Sequence, residues 1–482
     1  MKANDEYFDS KEFQDMLEAY ERSVKAGEPV FMDAEELSDI ADFYQFTGQA
    51  DEAEEAITLA LSLAPGAIAP LTYRIHQALF EGDPQKAREY YDQIIETDDP
   101  DYVYDRAEIL IAEGRVEEAD QYLREQFKQV PPDEYQDYVM DVANIYTDNG
   151  QPGKAMEWMA RARHQQSDDF KELMGRTLFE LGKYKDSERI FNELVDKDPF
   201  STKYWNALAS AQYMSEDYQK AIQSSEYAIA INPEDPDGLI AKANGLVHLN
   251  NFEEALKYYK RYSEQIPNDE YGLLSQGICL LNINKPEEAL EVLQKAAYIA
   301  QPDSPSLVDI YQELAFAYSE NGMAQEAIDT LNKTNEMDCD HVQMEIIKGH
   351  VMLANGNLKR AESYFSNAIN LSDDECSTWL RIILSFYDNH YTEAAYKLFK
   401  KYLHLCETNE EWKDKEPMRG YAYMALCCYE LKYYGEFLEY LKKACEKTPE
   451  DCRQALSHLF PHDLKPQEYY DYIKNKIEGL KQ

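Results

Sequence analysis

Residues 202–235 read TKYWNALASAQYMSEDYQKAIQSSEYAIAINPED. Two amphipathic runs of about 13 residues flank a short polar turn, and Pro233 closes the second. At about 1.5 Å rise per residue, each run makes one short helix. The next stretch, 236–269, repeats the arrangement with Leu239, Ala243, Phe252, Ala255, Tyr259 and Pro267, and 418–449 repeats it with Tyr421, Ala425, Tyr434, Leu441, Ala444 and Pro449. The phrase that opens the second helix runs from a turn residue to a small one: Gly48 to Ala53, Gly82 to Ala87, Gly114 to Ala119, Asp217 to Ala221, Asn251 to Ala255, Gly322 to Ala327, Gly356 to Ala361.

The small anchors are Ala53, Ala87, Ala119, Ala155, Ser187, Ala221, Ala255, Ala289, Ala327, Ala361 and Ala394, with Phe437 in the equivalent place of the last unit. Self-similarity at about 34 residues marks a repeat solenoid. The small residues Ala209, Ala243, Gly277, Ala315, Gly349 and Ala425 fall where the two helices of a unit must cross. Pro65, Pro131, Pro199, Pro233, Pro267 and Pro449 lack an N–H and stop one helix before the next begins. No single unit can bury its own apolar face, so stability must come from stacking neighbours.

On Trp205, Leu208, Ala209, Tyr218, Ala221, Ala228 and Pro233, the chain resembles the tetratricopeptide repeat family, with Ala209 standing where that family has glycine. The resemblance extends in phase over about residues 34–449. It implies an all-α fold, an α-solenoid wound as a right-handed superhelix of about twelve helix-turn-helix repeats. Residues 1–33 are expected to hold a capping helix over 10–26 (Phe13, Leu17, Tyr20), and 450–482 two more capping helices broken at Pro461 and Pro466. Within the array, 34–167 is an acidic section and 270–449 a section with an apolar groove.

The formal net charge is −44, and residues 1–150 alone carry 37 acidic and 11 basic side chains. Such a field repels phosphate backbones, so nucleic acid is not an expected partner, whereas a basic protein would be steered toward the N-terminal third. Met1 to Phe13 lacks the apolar core and basic flank of a signal peptide, and no run of about 18 apolar residues spans a membrane. All eight cysteines lie after residue 278 without regular spacing, as reduced core thiols in a cytoplasmic protein would.

Catalytic patterns are not found: no Gly-rich phosphate loop followed by Lys, no Gly-x-Ser-x-Gly, no His-Glu-x-x-His. Cys445, Cys452, His458 and His462 lie near one another in sequence, but their spacing fits no tight zinc pattern. No cofactor, no metal and no enzymatic activity are therefore expected.

What remains is a binding surface. The family resemblance implies that the first helix of each unit lines a concave groove, with contacts spaced by four and then three. In the first five units these are Ser38, Asp42, Gln45; Thr72, His76, Leu79; Tyr104, Glu108, Ile111; Met140, Asn144, Thr147; and Glu172, Arg176, Phe179. In five C-terminal units they are Leu274, Ile278, Leu281; Gln312, Phe316, Ser319; Ile346, His350, Leu353; Trp379, Ile383, Phe386; and Ala422, Leu426, Tyr429. The second set is mostly apolar, and a large exposed apolar patch usually marks an interaction site. The expected function is a scaffold that holds a protein or extended peptide there, through Leu274, Ile278, Leu281, Phe316, Ile346, His350, Leu353, Trp379, Ile383, Phe386, Leu426 and Tyr429. The alternative is that the inner face lies one residue away from these positions, or that adjacent first helices bury the stripe; at Trp379 the preceding loop, Ser372 to Glu375, leaves the register free by one. Other functions left open are a self-associating structural protein and a regulatory subunit of an enzyme complex. The family's carboxylate clamp is incomplete: Lys203, Asn206 and Asn244 fit it, but the third unit offers Leu274 and Ile278 in place of basic residues.

Overall fold

One left-handed residue sits between the two helices of every repeat. It is Gly48, Gly82, Gly114, Gly150, Gly182, Glu216, Asn250, Asn284, Gly322, Gly356, His390 or Lys432, with φ between 57° and 76°. In each case the N–H of the following residue donates to the carbonyl five residues back, at 2.7–2.9 Å, as in Gln49 to Tyr44, Asp217 to Gln212 and Tyr433 to Cys428. This is the Schellman closure, which satisfies a carbonyl the helix end would otherwise orphan and reverses the chain within a few residues. Seven of the twelve positions are glycine, which reaches positive φ at no steric cost.

The computed structural model describes residues 5–8, 10–373, 375–408, 412, 420–461 and 464–479. Twelve helix pairs run from Ala34–Phe46 with Ala50–Leu63 to Tyr421–Glu430 with Tyr434–Lys447. The chain forms two compact units, residues 1–231 and 232–482, with six pairs in each. Before the first pair lies the helix Lys11–Ala26, which buries Phe13, Leu17 and Tyr20, and Phe13 meets Phe43 at 5.3 Å between ring centroids. After the last pair come Pro449–Leu456 and Tyr469–Gly479.

The anchor, small in every unit but the last, always follows the left-handed residue by five positions. This corrects one expected anchor: in the eleventh unit, His390 places Ala395 in that role. Ala395 is fully buried and its N–H bonds to the Tyr391 carbonyl at 2.9 Å, whereas Ala394 is only partly buried. The crossing residues are small for the expected reason. A Cβ on Gly277 would come within 2.4 Å of Leu293, and one on Gly349 within 2.2 Å of Phe365, each on the second helix of the same unit. A larger side chain there would push the pair apart, and protein interiors have no slack to absorb it.

The second helices are less uniform than the period predicts. Pro84–Tyr91 and Pro152–Met159 have 8 residues and Ala324–Asn332 has 9. After Tyr91 the chain leaves the helix so that Ile94 enters the core, and the Ile95 N–H donates to the Gly66 carbonyl at 3.0 Å. A buried apolar residue and a loop-to-loop hydrogen bond replace the missing turn.

The cores of the two units differ. In unit 2 one cluster is continuous from Ala315 to Tyr469. In unit 1 the clusters are shorter, such as Phe8 to Tyr73, Ile68 to Ile109 and Ala107 to Leu173. No disulfide joins any of the eight cysteines, and all but Cys339 are buried.

Candidate binding trough in the N-terminal unit

The first helices Ile68–Phe80, Pro100–Ala112, Tyr135–Asp148, Asp168–Glu180 and Thr202–Met214 stand side by side in unit 1. Side chains at equivalent positions of successive helices therefore form rows. Between them lies a trough of about 700 Å³, lined among others by Thr72, His76, Tyr104, Glu108, Met140, Asn144, Glu172 and Arg176. Each of these eight belongs to the inner face read from the sequence. A neighbouring cavity of about 420 Å³ includes Thr147 and Phe179.

The inner-face spacing missed Asp101, Asp105, Asp141, Ile145, Asp148, Asp169 and Leu173, and Lys203 entered the sequence reading only as a clamp residue. Most of these residues lie one or three positions from an inner-face residue, so they escape a strict four-then-three spacing. The usable signal was the density of carboxylates in the first turns and flanks of these helices.

Seven carboxylates face the trough (Asp101, Asp105, Glu108, Asp141, Asp148, Asp169, Glu172) against Arg176, Lys203 and His76. The cations are already engaged. Arg176 is paired with Asp148, and its Nη1 donates to Asn144 Oδ1 at 3.4 Å; Lys203 is paired with Glu172 at 2.5 Å. His76 Nε2 lies 2.9 Å from Glu108 Oε2 and 3.5 Å from Asp105 Oδ1. Thr72 Oγ1 donates to Asp105 Oδ2 at 2.6 Å, and the Tyr104 hydroxyl donates to Asp141 at 3.3 Å.

Burial pushes the Asp105 carboxyl up to about 7, with His76 and Thr72 pulling it down by less. Burial and the neighbouring Asp99 raise Asp101. At His76 burial opposes protonation, but Glu108 and Asp105 outweigh it and the imidazole is held above its ordinary value. The trough thus carries negative charge in a partly desolvated setting, where an incoming cation interacts more strongly than in bulk water.

The apolar stripe of unit 2 is placed differently. Leu274, Ile346, Leu353, Ile383, Phe386 and Leu426 are buried, and the last five belong to the continuous core. Ile278, Leu281, Phe316, His350 and Trp379 are partly buried, and Tyr429 is 40% exposed. Phe316 and His350, at equivalent positions of successive units, meet edge to face at 5.7 Å. Burial holds His350 below its ordinary value, and its Nδ1 is 3.2 Å from Asn389 Nδ2.

The register slips by one in the eleventh unit. Counted back from the left-handed residue, inner-face positions lie at ten, six and three residues. From His390 these are Leu380, Leu384 and Tyr387, not Trp379, Ile383 and Phe386. Ile383 accordingly is fully buried, and Trp379 turns toward the second helix, where Lys401 Nζ sits 5.1 Å from its ring centroid.

The incomplete clamp is also partly occupied within the chain. Lys203 is tied to Glu172, and Asn244 Oδ1 accepts from the Tyr259 hydroxyl at 2.5 Å and the Tyr271 hydroxyl at 3.2 Å. Near the C-terminus Cys445 and Cys452 are buried while His458 is exposed, and His462 lies outside the described residues. No helix among the described residues is long and apolar enough to cross a membrane.

A helix-turn-helix of this period, with a left-handed turn and small crossing residues, defines an α-helical repeat protein. Tetratricopeptide repeat family models match residues 37–66, 74–134, 173–236 and 212–277. The chain is a tetratricopeptide repeat protein. Similar solved structures include a tetratricopeptide repeat protein from Parabacteroides merdae ATCC 43184, 17% identical, covering 52% of this chain and 97% of that one with a TM-score of 0.42. PilW, described as a widely conserved type IV pilus biogenesis factor, is 18% identical over 44% of this chain and 97% of its own, with a TM-score of 0.38. YrrB, described as having an unusual peptide-binding site, is 16% identical over 38% and 93%, with a TM-score of 0.34. Among curated protein sequences none matches.

Proposed function

We propose that this protein is a non-enzymatic interaction scaffold whose N-terminal unit receives a basic, extended segment of a partner protein in the acidic trough. The observation that carries this reading is the surplus of carboxylates on a concave wall whose cations are already paired within the chain. A volume of about 700 Å³ is in the range of sites that enclose several side chains. The apolar stripe of unit 2 is the weaker candidate, because Leu274, Ile346, Leu353 and Leu426 are buried in the core.

The test is fluorescence anisotropy with a labelled Lys/Arg-rich peptide and the full chain. Binding is expected to weaken with salt, because the attraction is between charges screened over about 8 Å at physiological ionic strength. Asp101→Lys with Asp169→Lys should weaken it by at least about tenfold, or about 1.4 kcal/mol. Phe316→Ser in unit 2 should leave it unchanged. Equal binding by the charge-reversed chain would refute the trough as the site, and a loss confined to Phe316→Ser would transfer the function to unit 2.

A further inference from the structure

At one point of the trough wall, three side chains of different chemistry converge. His76 comes from Ile68–Phe80, and Asp105 and Glu108 from Pro100–Ala112. One ligand atom from each lies within 4.8 Å of the others, and among the described residues this is the group of His, Cys, Asp and Glu side chains with that property. Asp105 and Glu108 are three apart on one helix, hence on one face. His76 and Glu108 both lie six residues before the left-handed residue of their own unit, so stacking brings them into one row despite 32 positions of sequence.

We propose that His76 Nε2, Asp105 Oδ1 and Glu108 Oε2 form a binding site for a divalent transition-metal ion such as Zn²⁺, with its remaining coordination positions open to the trough. This inference concerns a ligand other than the partner segment and does not need that reading to hold. A metal bound at about 2.1 Å by nitrogen and oxygen sets its ligand atoms about 3.0 Å apart in octahedral and about 3.4 Å apart in tetrahedral geometry. His76 Nε2 lies 2.9 Å from Glu108 and 3.5 Å from Asp105, close to these separations, and all three ligand atoms fall within 4.8 Å of one another.

Two further features fit a metal better than a simple ion pair. Glu108 Oε2 is buried, and its close partner is His76 Nε2 at 2.9 Å, which leaves the oxygen facing the same point as Asp105 Oδ1. Asp105 is almost wholly buried, and Thr72 holds its Oδ2 at 2.6 Å, leaving Oδ1 turned to His76. A hydrogen bond to the non-ligating oxygen is how proteins orient a ligating carboxylate. One imidazole with two carboxylates suits Zn²⁺ or Mn²⁺, and the absence of thiolate disfavours the softest ions.

The experiment is titration of the metal-stripped full chain with Zn²⁺, read by competition with a chromophoric chelator. The expected result is one saturable site per chain, weakened on the order of 100-fold by His76→Ala and at least about tenfold by Glu108→Gln. Asp169→Asn removes a carboxylate from the same trough but not a ligand, and should change affinity by less than about twofold. Similar weakening by Asp169→Asn would mean diffuse attraction and overturn the site, as would no saturable binding. A readout on the unsubstituted chain avoids any folding defect: Zn²⁺ must move the imidazole nitrogen resonances of His76, and their failure to move at one equivalent overturns the proposal.

Discussion

Six residues before the left-handed turn, the N-terminal unit presents Asp42, His76, Glu108, Asn144, Arg176 and Ser210, whereas the C-terminal unit, after Asn244 in its first pair, presents Ile278, Phe316, His350, Leu384 and Leu426. The backbone at these positions is equivalent, since the same turn and the same hydrogen bond precede every second helix. The outcomes differ because of side chains alone. Polar groups on neighbouring first helices keep their distance or bridge through ion pairs, and a trough remains. In unit 2 Phe316 meets His350 edge to face and Leu426 is buried in the continuous core, while Ile278, Phe316, His350 and Leu384 are partly buried. An apolar stripe in a repeat array is thus as readily a seam between repeats as a docking groove.

That contrast can be broken most forcefully at Leu353. It is buried on the inner face, so Leu353→Glu should destabilise unit 2 by about 3 to 5 kcal/mol through an unpaired buried charge, with an early loss of helix on heating. Asn144→Leu in the trough should cost less than about 1 kcal/mol in the same melt. A small effect at Leu353 would mean that the stripe is open to water.

The charges buried in each unit sharpen the comparison through pH. Burial, helped by Asp39, pushes Asp42 up to about 7; burial, helped by Asp309, pushes Glu313 up to about 7. A carboxyl whose folded value exceeds its unfolded one opposes folding when ionised. The penalty is absent below the unfolded value near 4, grows as pH rises toward 7, and is constant above. Glu313→Gln should therefore stabilise unit 2 at pH 8, on the order of 2 kcal/mol, and do nothing at pH 4. Asp42→Asn should act with the same sign in unit 1. Equal melting temperatures at pH 8 would show that neither burial is costly.

How much of this was legible beforehand differs along the chain. The period and the crossing residues Gly277 and Gly349 were readable because the steric demand of a helix crossing leaves a small residue in a fixed place. The inner-face residues that line the trough were readable once the first helices were in phase. The eleventh unit was misread by one residue because its left-handed position is His390, which carries no glycine signal, and Ala394 stands beside the true anchor Ala395. The pairing of His76 with Asp105 and Glu108 is invisible to any local spacing, since repeat stacking creates it.

The smallest expected effect lies at the turns both units share. Lys432, at φ 63°, occupies a conformation that costs a side chain roughly 1 kcal/mol, so Lys432→Gly should stabilise by up to that amount, and Gly82→Ala should destabilise by as much. Chemical denaturation would read both. A loss of stability in Lys432→Gly, or no loss in Gly82→Ala, would mean that their turns are not equivalent after all.

The central claim is that the N-terminal trough holds a basic segment while the C-terminal stripe is a seam. Hydrogen exchange of the full chain, with and without a saturating Lys/Arg-rich peptide, tests it most directly. Slowed exchange is expected in the first helices Ile68–Phe80, Pro100–Ala112, Tyr135–Asp148 and Asp168–Glu180. Slowing confined to Glu270–Asn282, Leu307–Glu320 and His341–Ala354 would contradict it and make the apolar stripe the site.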